Sequence, residues 1–317
     1  MIRFSSVLVA LGCAWLLAGC VAFEFKSQEF RVRHDADQDT LEFTLLYLDV
    51  GESRNPGDSS VLSGRSVEES PGRESSADVV QAIASGRRYF VIYDWPLVFD
   101  LDGAEADYPA DDPTVEGLPL AAMDIANGVR VRKAQLFVDE KGQLGMFQVV
   151  SLVDARRRID VLNAALNEFL TSDSPEVQSL DDDPLVLSPE TLERWIERAR
   201  QGQPWVVLAD GGFELRVPLS AEELARFIEG LVTESAQDDK VAAGFFVPLA
   251  QAMTSLTHQD GVLVARFLPG DDGWLSFQFE RQKTEVDGDL LGDLRERLVP
   301  IPNLSVKAVK TLIQAGE

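Results

Sequence analysis

The densest run of groups able to hold an ion is acidic: Asp100, Asp102, Glu105, Asp107, Asp111 and Asp112 surround Gly103. Carboxylates on so flexible a segment suit calcium, which takes oxygen ligands in adaptable geometry, and Asp100, Asp102 and Asp107 are the ligands such a loop would offer. A solvated acidic turn is the plainer description of the same residues. Asp35, Asp37 and Asp39 repeat a D-x-D-x-D spacing, but Thr40 stands where a calcium-binding helix–loop–helix needs glycine, and Leu46 where it needs glutamate. Paired carboxylates could also hydrolyse a glycosidic bond if their surroundings push their pKa values apart. Asp94 beside Trp95, and Asp100 with Asp102, are the acids most embedded in apolar sequence. Nucleophilic catalysis would need a base, and His34 and His258 are the two imidazoles in the chain. Neither accompanies a G-x-S-x-G elbow or an H-E-x-x-H pair, and no glycine run has the spacing of a phosphate cradle.

Lys+Arg total 29 against Asp+Glu 53, a net charge of −24 over 317 residues. Such a surface repels nucleic-acid backbones and anionic head groups at long range, so no nucleic-acid partner is expected. The 45% hydrophobic content is that of a protein with a substantial core.

The chain opens with Arg3, continues through the weakly polar stretch Val7 to Leu17, and reaches Ala18 and Gly19 before Cys20. This is the layout of an export signal. Its eleven apolar residues would rise only about 16 Å as a helix, roughly half the hydrocarbon thickness of a bilayer. Leu17-Ala18-Gly19-Cys20 resembles the lipobox of bacterial lipoproteins. That resemblance implies cleavage before Cys20, leaving residues 1–19 as a signal peptide and 20–317 as the mature protein, held in the membrane by acyl chains on Cys20. Of the two cysteines, Cys13 would leave with the signal, so no disulfide is available to the mature fold. Val21 and Ala22 follow the cysteine where an aspartate would favour inner-membrane retention, and the resemblance points to the outer membrane, facing the periplasm.

The elements that would position these groups read as hairpins separated by helices. Glu29 to Val50 alternates through Phe30, Val32, Leu41, Phe43 and Leu45 about the turn Asp35–Asp39. Residues 51–76 lose their large apolar side chains and read as a mobile loop. A helix is expected over Ala77 to Ser85, then strand segments Tyr89–Tyr93 and Leu97–Leu101, interrupted at Trp95-Pro96. Hairpins follow over Gly128–Val150, Pro204–Val217 with Asp210-Gly211 at its turn, and Val262–Glu280 about Pro269–Gly273. Helices are expected over Asp154–Leu170, Pro189–Arg200, Lys240–Ser255, Asp289–Leu298 and Ser305–Gln314. One more begins at Ser220, with Glu223 as capping-box partner and Leu224, Phe227, Ile228 and Leu231 on its buried face. Asp181-Asp182-Asp183-Pro184 marks a candidate internal boundary near 172–187. The fold class is therefore α+β, with antiparallel hairpins alternating with helices packed on the sheet.

These features describe a lipid-anchored cell-envelope protein that binds or scaffolds, its membrane partner reached through Cys20 and an envelope protein as a further candidate partner. The alternative is a carboxylate-dependent hydrolase acting on envelope glycan. An aromatic groove built from Trp95, Trp195, Trp205 or Trp274 would favour the hydrolase; a shallow exposed apolar surface would favour a protein partner.

Overall fold

The computed structural model describes residues 23–52, 75–93, 95–98, 117–172, 189–209, 211–220, 222–223, 248–280 and 289–314. In chain order the named elements are β1 (Phe23–Asp35), β2 (Thr40–Glu52), α1 (Ser76–Ala84), β3 (Tyr89–Ile92), β4 (Trp95–Val98), α2 (Gly117–Gly128), β5 (Val129–Val138), β6 (Leu144–Val153), α3 (Ala155–Thr171) and α4 (Pro189–Arg200). They continue with β7 (Val206–Ala209), β8 (Gly212–Val217), β9 (Ser255–Gln259), β10 (Val262–Phe267), β11 (Leu275–Glu280), α5 (Leu290–Glu296) and α6 (Val306–Gln314). The class is α+β, and every named strand pairing is antiparallel.

Five strands form the first sheet in the order β11-β1-β2-β6-β5, and four form a second in the order β7-β8-β10-β9. The β1–β2 alternation places Phe30 opposite Leu45, Val32 opposite Phe43 and His34 opposite Leu41. Side chains of directly opposed residues lie on one face, so on these two strands this face is apolar from Phe30–Leu45 through Val32–Phe43, with His34 beside Leu41 at its end. Its other face carries a smaller core, in which Leu46, Phe137, Phe147 and Val149 pack against Val309 and Ile313 of α6. β6 lies between β2 and β5 and is buried on both sides.

The D-x-D-x-D run is the β1–β2 turn. Asp35 Oδ1 accepts from the Asp37 and Gln38 amides, each at 3.0 Å, the local geometry for which aspartate is selected in turns. Asp39, at φ +48, caps a distant element: its carbonyl accepts from Ala155 N at 2.9 Å and its Oδ1 from Arg156 N at 3.1 Å. Asp154, next to α3, makes no side-chain cap bond. The first turn of α3 is thus satisfied from the hairpin, across more than a hundred residues.

Three local expectations need correction. Ser255 lies in β9, which pairs with β10 through Asp260 and Gly261, so the stretch expected as helix Lys240–Ser255 ends in a strand. Both turn residues have positive φ (+49 and +77), the requirement of a type I′ hairpin. Secondly, Val262–Glu280 is not a hairpin, because β10 belongs to the second sheet and β11 crosses to the first, placing Phe277 beside Phe30 and Phe279 beside Gln28. Thirdly, Trp95 and Pro96 do not interrupt a strand: they lie within β4, opposite Ile92 and Val91. Glu52 still belongs to β2 and Ser75 already caps α1, so the expected loop 51–76 is shorter than its reading at both ends, and 53–74 lies outside the described residues. The candidate boundary at 181–184 and the buried face Leu224–Leu231 also lie outside them, although the Ser220–Glu223 capping box is formed.

Candidate functional site

The register of the first sheet orders its inner face into layers. One layer runs Phe279, Gln28, Tyr47 and Met146 across β11, β1, β2 and β6; the next is Phe277, Phe30, Leu45 and Gln148. Beyond it come Leu275, Val32, Phe43 and Val150, and then His34, Leu41 and Leu152.

The Gln28–Tyr47 layer is packed solid. Phe23, Phe25 and Tyr47 are fully buried and meet edge-on, with ring centroids 5.9 Å (Phe23 to Tyr47) and 5.2 Å (Phe25 to Tyr47) apart. Across this layer lies β3, hung from the sheet by side chains. Gln28 Nε2 donates to Val91 O while Gln28 Oε1 accepts from Tyr93 N at 2.8 Å. Val91 N donates to Tyr47 Oη at 3.1 Å, and Gln148 Nε2 donates to Tyr89 O at 3.2 Å. The amides reproduce the pattern of a neighbouring strand, so the buried backbone of β3 is satisfied without joining the sheet. Burial pushes the Tyr47 phenol well above its ordinary pKa, so it stays protonated.

The second sheet is mounted opposite by α3. Asn163 Nδ2 donates to Val206 O at 2.8 Å, and Asn163 Oδ1 accepts from Trp205 N and Val206 N at 2.9 and 3.0 Å. Trp205 Nε1 donates to Asn167 Oδ1 at 2.7 Å. His34 N donates to Gly211 O at 2.9 Å, tying the end of β1 to the β7–β8 turn of the second sheet. Val206 and Leu208 lie opposite Leu215 and Phe213, giving this sheet an apolar face as well.

Between the two faces lies a cavity of about 370 Å³. The first sheet lines it with Phe279 of the Gln28–Tyr47 layer and with the layers from Phe30–Leu45 outward, and the second sheet with Val206, Leu208, Phe213 and Leu215. Phe90 and Ile92 of the hung strand, Ile125 of α2 and Ile159 of α3 also line it, and the cavity is partly open to solvent. Every lining side chain among the described residues is a hydrocarbon, and several, including Phe30, Phe43, Leu208 and Phe213, keep accessible surface although they point between the sheets. A second hollow, beside Glu29 and Lys310, holds about 10 Å³, no more than a single water.

Charge is kept outside. On the outer face of β8, Glu214 is held between Arg216 Nη2 at 2.7 Å and Arg266 Nε at 2.7 Å. Burial alone would raise its pKa, but the two guanidinium hydrogen bonds and charges outweigh burial and leave the carboxyl below its ordinary range. On the outer face of the first sheet, Trp274 lies under Arg31 and Arg33, whose guanidinium carbons stand 4.8 and 4.6 Å from the ring centre. Arg31 also pairs with Asp272 at 2.6 Å, and Glu42 bridges Arg33 and Arg132.

The residues singled out in the sequence fall elsewhere. Cys20, the cluster Asp100–Asp112 and Asp94 lie outside the described residues. His34 is buried with its Nε2 3.7 Å from Asp39 Oδ1, whereas His258 is exposed on β9 of the other sheet. Trp195, Trp205 and Trp274 are core residues and line no groove. Large exposed apolar side chains among the described residues are Met123, Leu256 and Leu298, each on a separate segment. The cavity itself was half visible in the sequence: alternation marks both apolar faces, but spacing along a chain carries no measure of the gap between two sheets.

Comparison of the chain with protein-family models, with curated proteins and with solved structures finds no match.

Proposed function

We propose that this is a lipid-anchored cell-envelope protein that binds an apolar ligand. The observation that carries the reading is the hydrocarbon-lined cavity between the sheets. Its volume falls in the range of small-molecule sites, roughly 300–1,000 Å³. Water within it finds no hydrogen-bonding side chain on the wall among the described residues, whereas a hydrocarbon there buries apolar surface at about 25 cal/mol per Å². The Leu17–Cys20 motif supports the anchored, envelope-facing location. The cavity wall offers no carboxylate among the described residues, so hydrolysis of envelope glycan draws no support from it.

Two measurements test this. In a bacterial host the full chain should incorporate labelled acyl chains and fractionate with membranes, while Cys20→Ser should do neither; labelling of the variant would overturn the anchor. The purified protein should bind N-phenyl-1-naphthylamine saturably at one site, with blue-shifted fluorescence. Absence of saturable binding would overturn the cavity as a ligand site.

A further inference from the structure

Resting on that reading, the geometry points to the occupant: we infer that the cavity takes the unbranched hydrocarbon chain of a separate lipid, and not the acyl chains carried by the protein's own Cys20. Three observations combine. First, the wall presents only hydrocarbon side chains among the described residues, so nothing in it rewards a hydrogen-bonding group on the enclosed part of the ligand. A methylene chain meets that requirement; a sugar, nucleotide or peptide backbone would bury unsatisfied polar atoms. Secondly, about 370 Å³ accommodates at least about twelve methylene-sized groups, taking each as near the ~30 Å³ share of a water molecule. The polar end of a longer lipid would then lie outside the wall.

Thirdly, the anchor and the cavity belong to opposite ends of β1. Cys20 precedes Phe23 by three residues, whereas the first β1 side chain in the cavity is Phe30, about 23 Å further along an extended strand. The intervening interior is filled by Phe23, Phe25 and Tyr47, each fully buried, and closed by Gln28, whose amide is bound to Val91 and Tyr93. An acyl chain on Cys20 has no passage through that layer. The anchor therefore stays with the membrane while the cavity holds a second chain.

The test uses the full chain, wild type and Cys20→Ser, in a bile-salt detergent that carries no alkyl chain of its own. Linear alkyl carboxylates of eight to sixteen carbons, and the alcohols of the same lengths, are titrated against bound N-phenyl-1-naphthylamine. The expected result is one-to-one displacement in both proteins, affinity rising about fourfold per methylene up to at least about twelve carbons before levelling, with chain length dominating over head group. Leu208→Trp, which narrows the cavity from the second sheet, should move the plateau to shorter chains; Val150→Phe does the same from the first sheet should the tryptophan variant fail to fold. Three results would overturn the inference. Displacement in Cys20→Ser but not in wild type makes the protein's own acyl chains the occupant. Naphthylamine binding without displacement by any alkyl chain leaves an apolar site of another shape, and the reading under Proposed function stands without this one. No naphthylamine binding in either protein removes both.

Discussion

The amide of Val91 donates a hydrogen bond to the phenol oxygen of Tyr47 at 3.1 Å, deep in the core and across forty-four residues of sequence. It is one of the few polar contacts that hold β3 against the first sheet, and β3 supplies Phe90 and Ile92 to the cavity wall. Tyr47→Phe keeps the ring and deletes the acceptor. A buried donor left unsatisfied costs about 1–3 kcal/mol, so we expect the unfolding free energy from urea titration to fall by that amount and faster amide exchange confined to residues 89–93. Because burial raises the Tyr47 pKa, the folded protein favours the protonated phenol: stability is intact below the ordinary pKa of 10.0 and falls as pH rises through the folded value. Tyrosinate absorbance from Tyr47 should appear only with unfolding.

A matched pair of glycine substitutions tests the packing of the second sheet. A Cβ on Gly212 would lie 1.9 Å from the backbone oxygen of Phe267, whereas on Gly270 the nearest atom is Asp272 Oδ1 at 3.5 Å. The first contact is with main chain that cannot swing aside. Gly212→Ala should lower stability by about 3 kcal/mol or more, at the severe end for single substitutions, and Gly270→Ala by less than about 0.5 kcal/mol. Equal melting temperatures for the two variants would show that the β8–β10 contact is looser than described.

What the sequence made legible follows from the range of the forces involved. The Phe30–Val32 and Phe43–Leu45 alternation, the Gly211 turn at φ +82 and the Ser220–Glu223 capping box are all short-range signals, and each is present where it was read. The fate of β11 was not readable locally. Pro269–Gly273 looks like a hairpin turn, and it does close on itself, with Gly270 N donating to Trp274 O at 3.0 Å and Gly273 N to Gly270 O at 2.9 Å. Partner choice, however, is set by residues more than two hundred positions away: Arg31 pairs with Asp272, and Trp274 sits under Arg31 and Arg33, which brings β11 to β1. β9 carried a usable signal in Asp260-Gly261, a turn pair as strong as the one at Asp210-Gly211. The cavity depends on the Asn163 bracket that sets β7 opposite the first sheet, a contact between distant segments that no local pattern encodes.

Acid should act through two arginine-paired carboxylates, Glu214 buried and Glu223 partly buried. Glu223 accepts from Arg194, Thr191 and Ser220; burial opposes ionisation, but these hydrogen bonds prevail and lower its pKa from 4.5 to about 2. Glu214, between Arg216 and Arg266, is also lowered. A depressed folded pKa contributes stability that is present above the unfolded value and lost as pH falls through the folded one. Melting temperature should therefore drop between pH 4.5 and about pH 2, and the double variant Glu214→Gln with Glu223→Gln should flatten that slope while lowering stability at pH 7. A slope unchanged in the double variant would assign acid sensitivity to other groups.

The same substitution in two places separates a cavity from a packed core. Leu166 on α3 is 1% exposed and does not line the cavity, while Leu208 on β7 does. Interiors are filled to crystal-like density, so an added ring at Leu166 must displace its neighbours, and Leu166→Phe should cost about 1–3 kcal/mol. At Leu208 the ring has space to enter. Leu208→Phe should leave the ligand-free protein as stable as wild type or raise its melting temperature, because new contacts replace contacts the lining lacked. Ligand should then stabilise the variant less than it stabilises wild type, since the stabilisation conferred by binding depends on the ratio of free ligand to dissociation constant. Thermal melts of both variants, with and without a twelve-carbon alkyl carboxylate, check this directly. Equal losses at the two positions would mean that the space between the sheets is already filled.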